Sequence, residues 1–178
     1  MTDLRTEVEE DRGLLKKIQL MIPGFRGYRQ REDIRIADSL LRMQIADMMK
    51  NTVLLPLEQA RETASRGLEL DLMNDFAAVI SKAKAMEGRI RHAEQGYSGI
   101  SAGIRIEQKE LNTLYEYDAA LLDSVAGLGN AAASALRFAE AGEFDRVKSG
   151  LASMKAELTD FSGMFDKRTT EIAGISVV

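Results

Sequence analysis

Apolar residues that recur at alternating steps of three and four positions are the feature that most constrains the fold of this chain. The spacing is unbroken between positions 72 and 90, where the apolar residues are Leu72, Phe76, Val79, Ala83, Met86 and Ile90. A helical turn of about 3.6 residues places such positions on one face, so the spacing predicts an α-helix with a narrow apolar seam. No alternating runs of Val and Ile lie between turn signals, and the sequence therefore predicts no β-strands.

The same spacing predicts five helices, at about residues 2–22, 30–67, 69–95, 107–141 and 144–173. Pro23-Gly24 ends the first helix, and Gly142 marks the turn before the last. In the second helix the seam is predicted at Ala37, Leu41, Ile45, Met48, Thr52 and Leu55. In the fourth helix the predicted seam runs from Leu111 to Ala139, and in the fifth from Phe144 to Ile172. Pro56 is expected to kink or break this helix, because proline lacks an N–H group and clashes with the preceding turn.

Long helices joined by short loops predict an all-α, elongated antiparallel bundle with coiled-coil-like packing. Four long helices form the bundle and the first helix is an added element. We expect a single domain over residues 1–178, in which 1–22 is a separable helix and 174–178 is a frayed tail. The first helix is also a candidate surface for homodimer formation.

Composition removes several classes of function. The chain has 178 residues, a net charge of -4, no cysteine and one histidine, His92. Disulfides, thiolate metal sites and a cysteine nucleophile are excluded, and a ferritin-like di-iron site would need histidines on two helices. We therefore predict no metal or cofactor, and the negative charge does not favour nucleic acid. The charged N-terminus and the lack of an apolar run of ~18 residues predict a soluble, cytoplasmic protein.

The segment "IPGFRGYRQREDIR", residues 22–35, stands out from the helical pattern by its arginines, aromatics and turn residues. Its candidate site residues are Phe25, Arg26, Tyr28, Arg29, Arg31 and Arg35. Asp118 lies on the apolar seam of the fourth helix, and a buried carboxylate needs a partner. We predict a polar lock between Asp118 and an arginine of this segment or of the early second helix, which would fix the helix register.

Two other interpretations of the arginine segment stay open. Arginines near the start of the second helix would bind a phosphate or a lipid head group, assisted by the helix dipole. Alternatively, arginine and tyrosine form a docking surface for a protein, where both residue types are common.

The segments "PGFRGYRQREDIRIADSLLR" and "RIRHAEQGYSG…LNTLYEYDAALL" resemble a family of uncharacterised prokaryotic helical proteins. The similarity covers roughly residues 20–45 and 85–125. The resemblance implies a cytoplasmic, prokaryotic protein, and it implies no activity, cofactor or catalytic residue.

Taken together, the sequence predicts a non-enzymatic interaction or scaffold protein that binds a protein partner or itself. The main alternative is a peripheral binder of anionic lipid or a phosphate ligand through residues 24–35, although the mixed charge of the helix faces does not favour a membrane surface. The least favoured alternative is an enzyme with a site near residues 96–105, where Tyr97 and Arg105 lie.

Overall fold

The computed structural model describes residues 4–25, 31–93 and 108–175, with side chains described over 13–25, 36–93 and 112–172. These ranges form six α-helices and one π-helical segment, and no strand occurs within them. The elements are α1 (Leu4–Met21), α2 (Arg31–Met48), the π segment (Met49–Leu54), α3 (Leu55–Arg66), α4 (Leu72–His92), α5 (Gln108–Glu140) and α6 (Phe144–Ile175). The chain is an all-α helical bundle, which confirms the fold class predicted from the seams.

The four long members of the bundle are α4, α5, α6 and the continuous helix that α2, the π segment and α3 form together. Consecutive members alternate in direction, as expected for an antiparallel bundle. Helices that follow one another along the chain are not always neighbours in space. The helix α4 packs against α2, α3 and α6, and α5 packs against α1, α2, α3 and α6. The helices α4 and α5 therefore lie diagonally across the bundle, and α4 runs parallel to its neighbour α6.

The predicted seams of α4, α5 and α6 form the core. Every described seam position of α4 and α5 is buried, including the alanines that narrow the second half of α5. The α6 seam is buried from Val147 to Ile172, whereas Phe144 at its start is half-buried. The helix α5 lies at the centre of the molecule, because it contacts α1, α6 and the continuous helix that α2, the π segment and α3 form together.

The predicted seam of the second helix is wrong beyond Ile45. The buried positions there are Met49 and Val53, while Thr52 is exposed and Leu55 is 52% exposed. The cause is the π segment, in which the Leu55 N–H donates to the carbonyl of Lys50, five residues earlier. The wider turn inserts an extra residue and rotates the following positions relative to the core.

Pro56 explains why the π segment forms at this place. Proline has no N–H to donate to the carbonyl of Thr52, and its ring crowds that carbonyl. The helix neither breaks nor ends at Pro56, which instead occupies the first turn of α3, where proline is tolerated. The expected irregularity is present, but it is a change of helical register and not a break.

The N-terminal helix α1 packs on α5. Ile18 and Ile22 are buried in the same hydrophobic core as the bundle, together with Phe25 just beyond the helix. Lys17 forms an ion pair of 2.5 Å with Asp123 of α5 at the edge of this contact. At the other end of the chain, α6 continues to Ile175.

One helix within the described ranges, Asn112–Glu140 of α5, is long and apolar enough by length and composition to cross a membrane. Of its most apolar window, 44% is buried inside the molecule. The sequence was expected to contain no such segment. The central helix of a bundle needs the same apolar composition, so this helix is only a weak indication of a membrane span.

Candidate functional site

Asp118 lies in the core, as its place on the α5 seam predicted. The residue has no exposed surface, and its Oδ1 accepts a hydrogen bond of 2.5 Å from Nε of Arg168 in α6. The Arg168 side chain is also buried, with 1% of the residue exposed. A buried carboxylate is therefore compensated by a buried guanidinium, which is the type of partner that the sequence predicted.

The pair extends into a network that reaches α2. Nη1 of Arg168 donates to Oδ1 of Asp38 at 2.6 Å, and Oδ2 of Asp38 accepts from Nε of Arg42 at 2.8 Å. Nη1 of Arg42 in turn donates to the carbonyl of Ala93 at 2.9 Å and to that of Ile90 at 3.3 Å. We call Asp38, Arg42, Asp118 and Arg168 the buried network.

The buried network joins four helices through charge-assisted hydrogen bonds. It contains two carboxylates and two guanidiniums, so its formal charges balance. Arg42 completes it by donating to carbonyls at the C-terminal end of α4, which have no partner within the helix and carry the negative end of its dipole. Such an arrangement fixes the relative register of α2, α4, α5 and α6, because a shift of any one helix would break a buried bond.

Another arginine, Arg91, connects the last turns of α4 to α2 near the surface. Arg91 donates to Asp47 at 2.8 Å and to Glu87 at 2.6 Å. Hydrogen bonds to Asp47 and to Glu87 raise the pKa of Arg91 above its ordinary value. The guanidinium is therefore charged at every accessible pH, and the contact contributes to packing rather than to proton transfer.

Only some of the predicted site residues lie within the described part of the structure. Phe25 is buried, and Asp118 belongs to the buried network. Arg26, Tyr28 and Arg29 lie outside the described residues, and the side chains of Arg31 and Arg35 are likewise outside the described side chains. A lock, an anion site or a docking surface formed by these arginines therefore stays a prediction.

Sequence reasoning missed Arg168, Asp38 and Arg42. A signal for Arg168 was present, because it lies three residues after Phe165 and four before Ile172, at a seam position of α6. An arginine at a seam position on one helix and an aspartate on another are natural partners. Asp38 and Arg42 lie beside the seam of α2 at a spacing of four, which is equally common on a solvated helix face.

A different site lies on the outer side of α3. The structure has a groove of about 670 Å³ between α3 and the start of α4, with Leu55 at one end and Met73 near the other. A second groove of about 410 Å³ shares Leu55 and Glu58 with the first and extends it toward Lys50. The two grooves meet at Leu55 and Glu58, near the start of α3.

The turn that follows α3 carries two further exposed leucines. Leu68 is 80% exposed and Leu70 is 66% exposed. We call Leu55, Leu68, Leu70 and Met73 the leucine groove. Leu68, Leu70 and Met73 follow the end of α3, and Leu55 lies at its start. Exposed apolar side chains that lie close together mark interaction sites on soluble proteins, and Leu68 and Leu70 are two positions apart in one turn.

The backbone of Leu68 is strained. The hydrogen bonds from Glu69 N to Ala64 O and from Leu68 N to Ser65 O form a Schellman motif, which places Leu68 in the left-handed region at φ 62. Glycine normally occupies that position, and here Gly67 precedes it. A Cβ atom at Gly67 would lie 3.1 Å from the ring of Phe144, so glycine at position 67 allows the two to pack closely. The next residue, Leu68, therefore adopts the strained left-handed conformation.

The end of the bundle that carries this turn is acidic. Residues 66–75 and 140–146 contain six carboxylates and two arginines. Both arginines pair locally, Arg66 with Glu62 at 2.6 Å and Arg146 with Glu143 at 2.6 Å. We call these two ranges the acidic end.

Within the described ranges, no group of three or more His, Cys, Asp or Glu side chains could hold a metal ion. His92 is exposed near the end of α4. No protein-family model, curated protein or solved structure matches the chain. The resemblance to uncharacterised prokaryotic proteins, and the cytoplasmic location that it implies, stay predictions.

Proposed function

We propose that the protein is a non-enzymatic interaction protein and that the leucine groove is its docking surface. The observation that carries this proposal is Leu68, which is 80% exposed and held at φ 62. A left-handed leucine costs about 1–2 kcal/mol of backbone strain, and its exposed side chain gains nothing from the fold of the single chain. Contact with a partner would give that side chain a role.

The position of the other apolar residues supports the same function. Leu55 is turned outward by the π segment at the start of α3, and Met73 lines the same groove near its other end. Methionine adapts to different contacts because its side chain is unbranched and flexible. The polar residues of the buried network, in contrast, hydrogen-bond one another or backbone carbonyls, which supports a structural role for them.

Photo-crosslinking in cells of the native host tests the proposal. A photoreactive amino acid replaces Leu70, or Leu20 as the matched control, which is 79% exposed on α1 and lies outside the groove. We expect a discrete adduct at position 70 that disappears when Leu68→Ser is added, because serine removes the neighbouring apolar contact. The same adducts at positions 20 and 70, or an adduct at 70 that Leu68→Ser leaves unchanged, would refute the proposal.

A further inference from the structure

We infer that the groove of about 410 Å³ beside the π segment binds a small apolar carboxylate that carries an N–H donor next to its carboxyl group. We call it the π groove, and its lining includes Lys50, Asn51, Leu55, Glu58, Lys84 and Glu87. This inference goes beyond the docking surface and does not depend on a protein partner. Three observations support it: the origin of the groove, a lysine without a described ion pair, and a backbone carbonyl without its usual donor.

The π segment builds much of this groove. Lys50, Asn51 and Leu54 belong to the segment, and Leu55 follows it directly. Single π-helical turns are rare and occur frequently at functional sites. The volume of about 410 Å³ lies within the range of about 300–1,000 Å³ that is typical of small-molecule sites. Leu55 is 52% exposed, so it offers an apolar wall to the apolar part of a ligand.

Lys50 sets the charge of the ligand. The two carboxylates of the groove are already paired, because Glu58 and Glu87 each accept from a cation of α4 at 2.6 Å. Asp47, one turn before Lys50, pairs with Arg91. Among the described side chains, Lys50 therefore has no carboxylate partner, and its ammonium group can bind an external anion. A single lysine balances one negative charge, which favours a carboxylate over a phosphate group that carries nearly two.

The backbone carbonyl of Asn51 is an acceptor for the ligand. In an α-helix it would accept from Leu55, but the Leu55 N–H donates to the carbonyl of Lys50. In the π register it would accept from residue 56, which is proline and has no N–H. The carbonyl therefore lacks its usual donor in either register. A helical carbonyl points along the axis toward the residue four positions on, so this one lies between Asn51 and Leu55, which both line the groove. An N–H of the ligand would satisfy it.

Three small molecules test the inference. N-acetylleucine carries the carboxylate, the N–H donor and an apolar side chain. N-acetylleucinamide lacks the charge, and 4-methylpentanoate keeps the charge and the apolar chain but lacks the N–H. Nuclear magnetic resonance titration of the ¹⁵N-labelled full chain measures the dissociation constants and locates the shifted amides.

We expect N-acetylleucine to shift the amides of residues 49–55. With about 12 non-hydrogen atoms at the ligand efficiency of ordinary small molecules, its dissociation constant should be about 2 mM. The other two probes should each bind about three- to tenfold more weakly, because each lacks one of the two hydrogen bonds.

Two pairs of variants assign the contacts. Lys50→Met is expected to weaken N-acetylleucine to the level of its amide, whereas the matched control Lys148→Met, at an exposed position of α6 outside the groove, should leave its binding unchanged. Pro56→Ala restores an N–H, so the carbonyl of Asn51 gains a donor in the π register from residue 56 and in the α register from Leu55. N-acetylleucine should then bind no better than 4-methylpentanoate. Asn51→Ala keeps the carbonyl and should retain the difference between these two probes.

The variants are expected to fold, because alanine and methionine are good helix formers and Lys50 is exposed. Equal binding of the three probes, equal effects of the two lysine changes, or no shift with any probe at about 20 mM would overturn the inference. A difference between N-acetylleucine and 4-methylpentanoate that persists in Pro56→Ala, or disappears in Asn51→Ala, would overturn the role of the carbonyl. The adduct expected at position 70 depends on none of these results, so the inference and the proposed function can fail separately.

Discussion

The buried network predicts a strong energetic coupling between Asp118 and Arg168. The change Arg168→Met removes the bonds of 2.5 Å to Asp118 and 2.6 Å to Asp38. Asp118 and Asp38 then each lose a hydrogen bond from a guanidinium in the core. Because hydrogen bonds to charged groups contribute about 1.5–3 kcal/mol each, and breaking a buried pair typically costs about 3–5 kcal/mol, we expect a loss of about 3–5 kcal/mol.

The double variant should lose much less than the sum of the single ones. Asp118→Val alone leaves an excess guanidinium in the network and is expected to cost about 3 kcal/mol or more. Asp118→Val with Arg168→Met removes both members of the pair, and the balanced pair of Asp38 and Arg42 remains at 2.8 Å. Burial of apolar side chains of similar size then offsets the lost bonds, so we expect the double variant to cost about 1–2 kcal/mol.

Urea unfolding followed by circular dichroism measures these free energies for the four proteins of the cycle. For a chain of 178 residues each 1 kcal/mol shifts the melting temperature by about 2–4 °C, so Arg168→Met should melt about 6–20 °C lower. The expected coupling energy between the two positions is about 3 kcal/mol or more. Additivity within about 0.5 kcal/mol would refute the network as an energetic unit.

Two further predictions concern backbone positions. Leu68→Gly is expected to raise the melting temperature by about 2–4 °C, since glycine adopts φ 62 without strain. The control Leu70→Gly should not raise the melting temperature. A lower melting temperature for Leu68→Gly would contradict the backbone strain at this position. Gly129→Ala is expected to destabilise the bundle by about 1–3 kcal/mol, because a Cβ there would lie 2.8 Å from Oγ1 of Thr52. Gly127→Ala has nothing within 4 Å and should be neutral or stabilising, so equal melting temperatures for the two alanine variants would contradict the close approach of α5 to the π segment.

The fold was predictable where one signal dominated. The seams of α4, α5 and α6 follow from spacing alone, because a helix that buries one face has few other ways to place apolar residues. The seam of the second helix was predictable only to Ile45, because sequence spacing assumes a constant helical pitch and cannot show how the chain accommodates Pro56. The order of the helices in space was likewise not predictable, since a seam records that a helix is buried but not which helix covers it.

The buried network was also predictable only in part from the sequence. The need of Asp118 for a cation followed from its seam position, and that need is a local property of the residue. The identity of the cation depends on which helices are neighbours, and α6 approaches α5 with Arg168 at the level of Asp118. The arginine segment differs from the rest of the sequence in composition, whereas Arg168 is a single charge in a regular seam.

The leucine groove arises from two local conflicts in the backbone, one at each end of α3. At the start, Pro56 forces the π segment, and the resulting rotation turns Leu55 away from the core. At the end, Gly67 packs against Phe144 and leaves the left-handed position to Leu68. Each irregularity therefore coincides with an exposed leucine, one at the start of α3 and one just after its end, and this is the physical reason for placing the docking surface there.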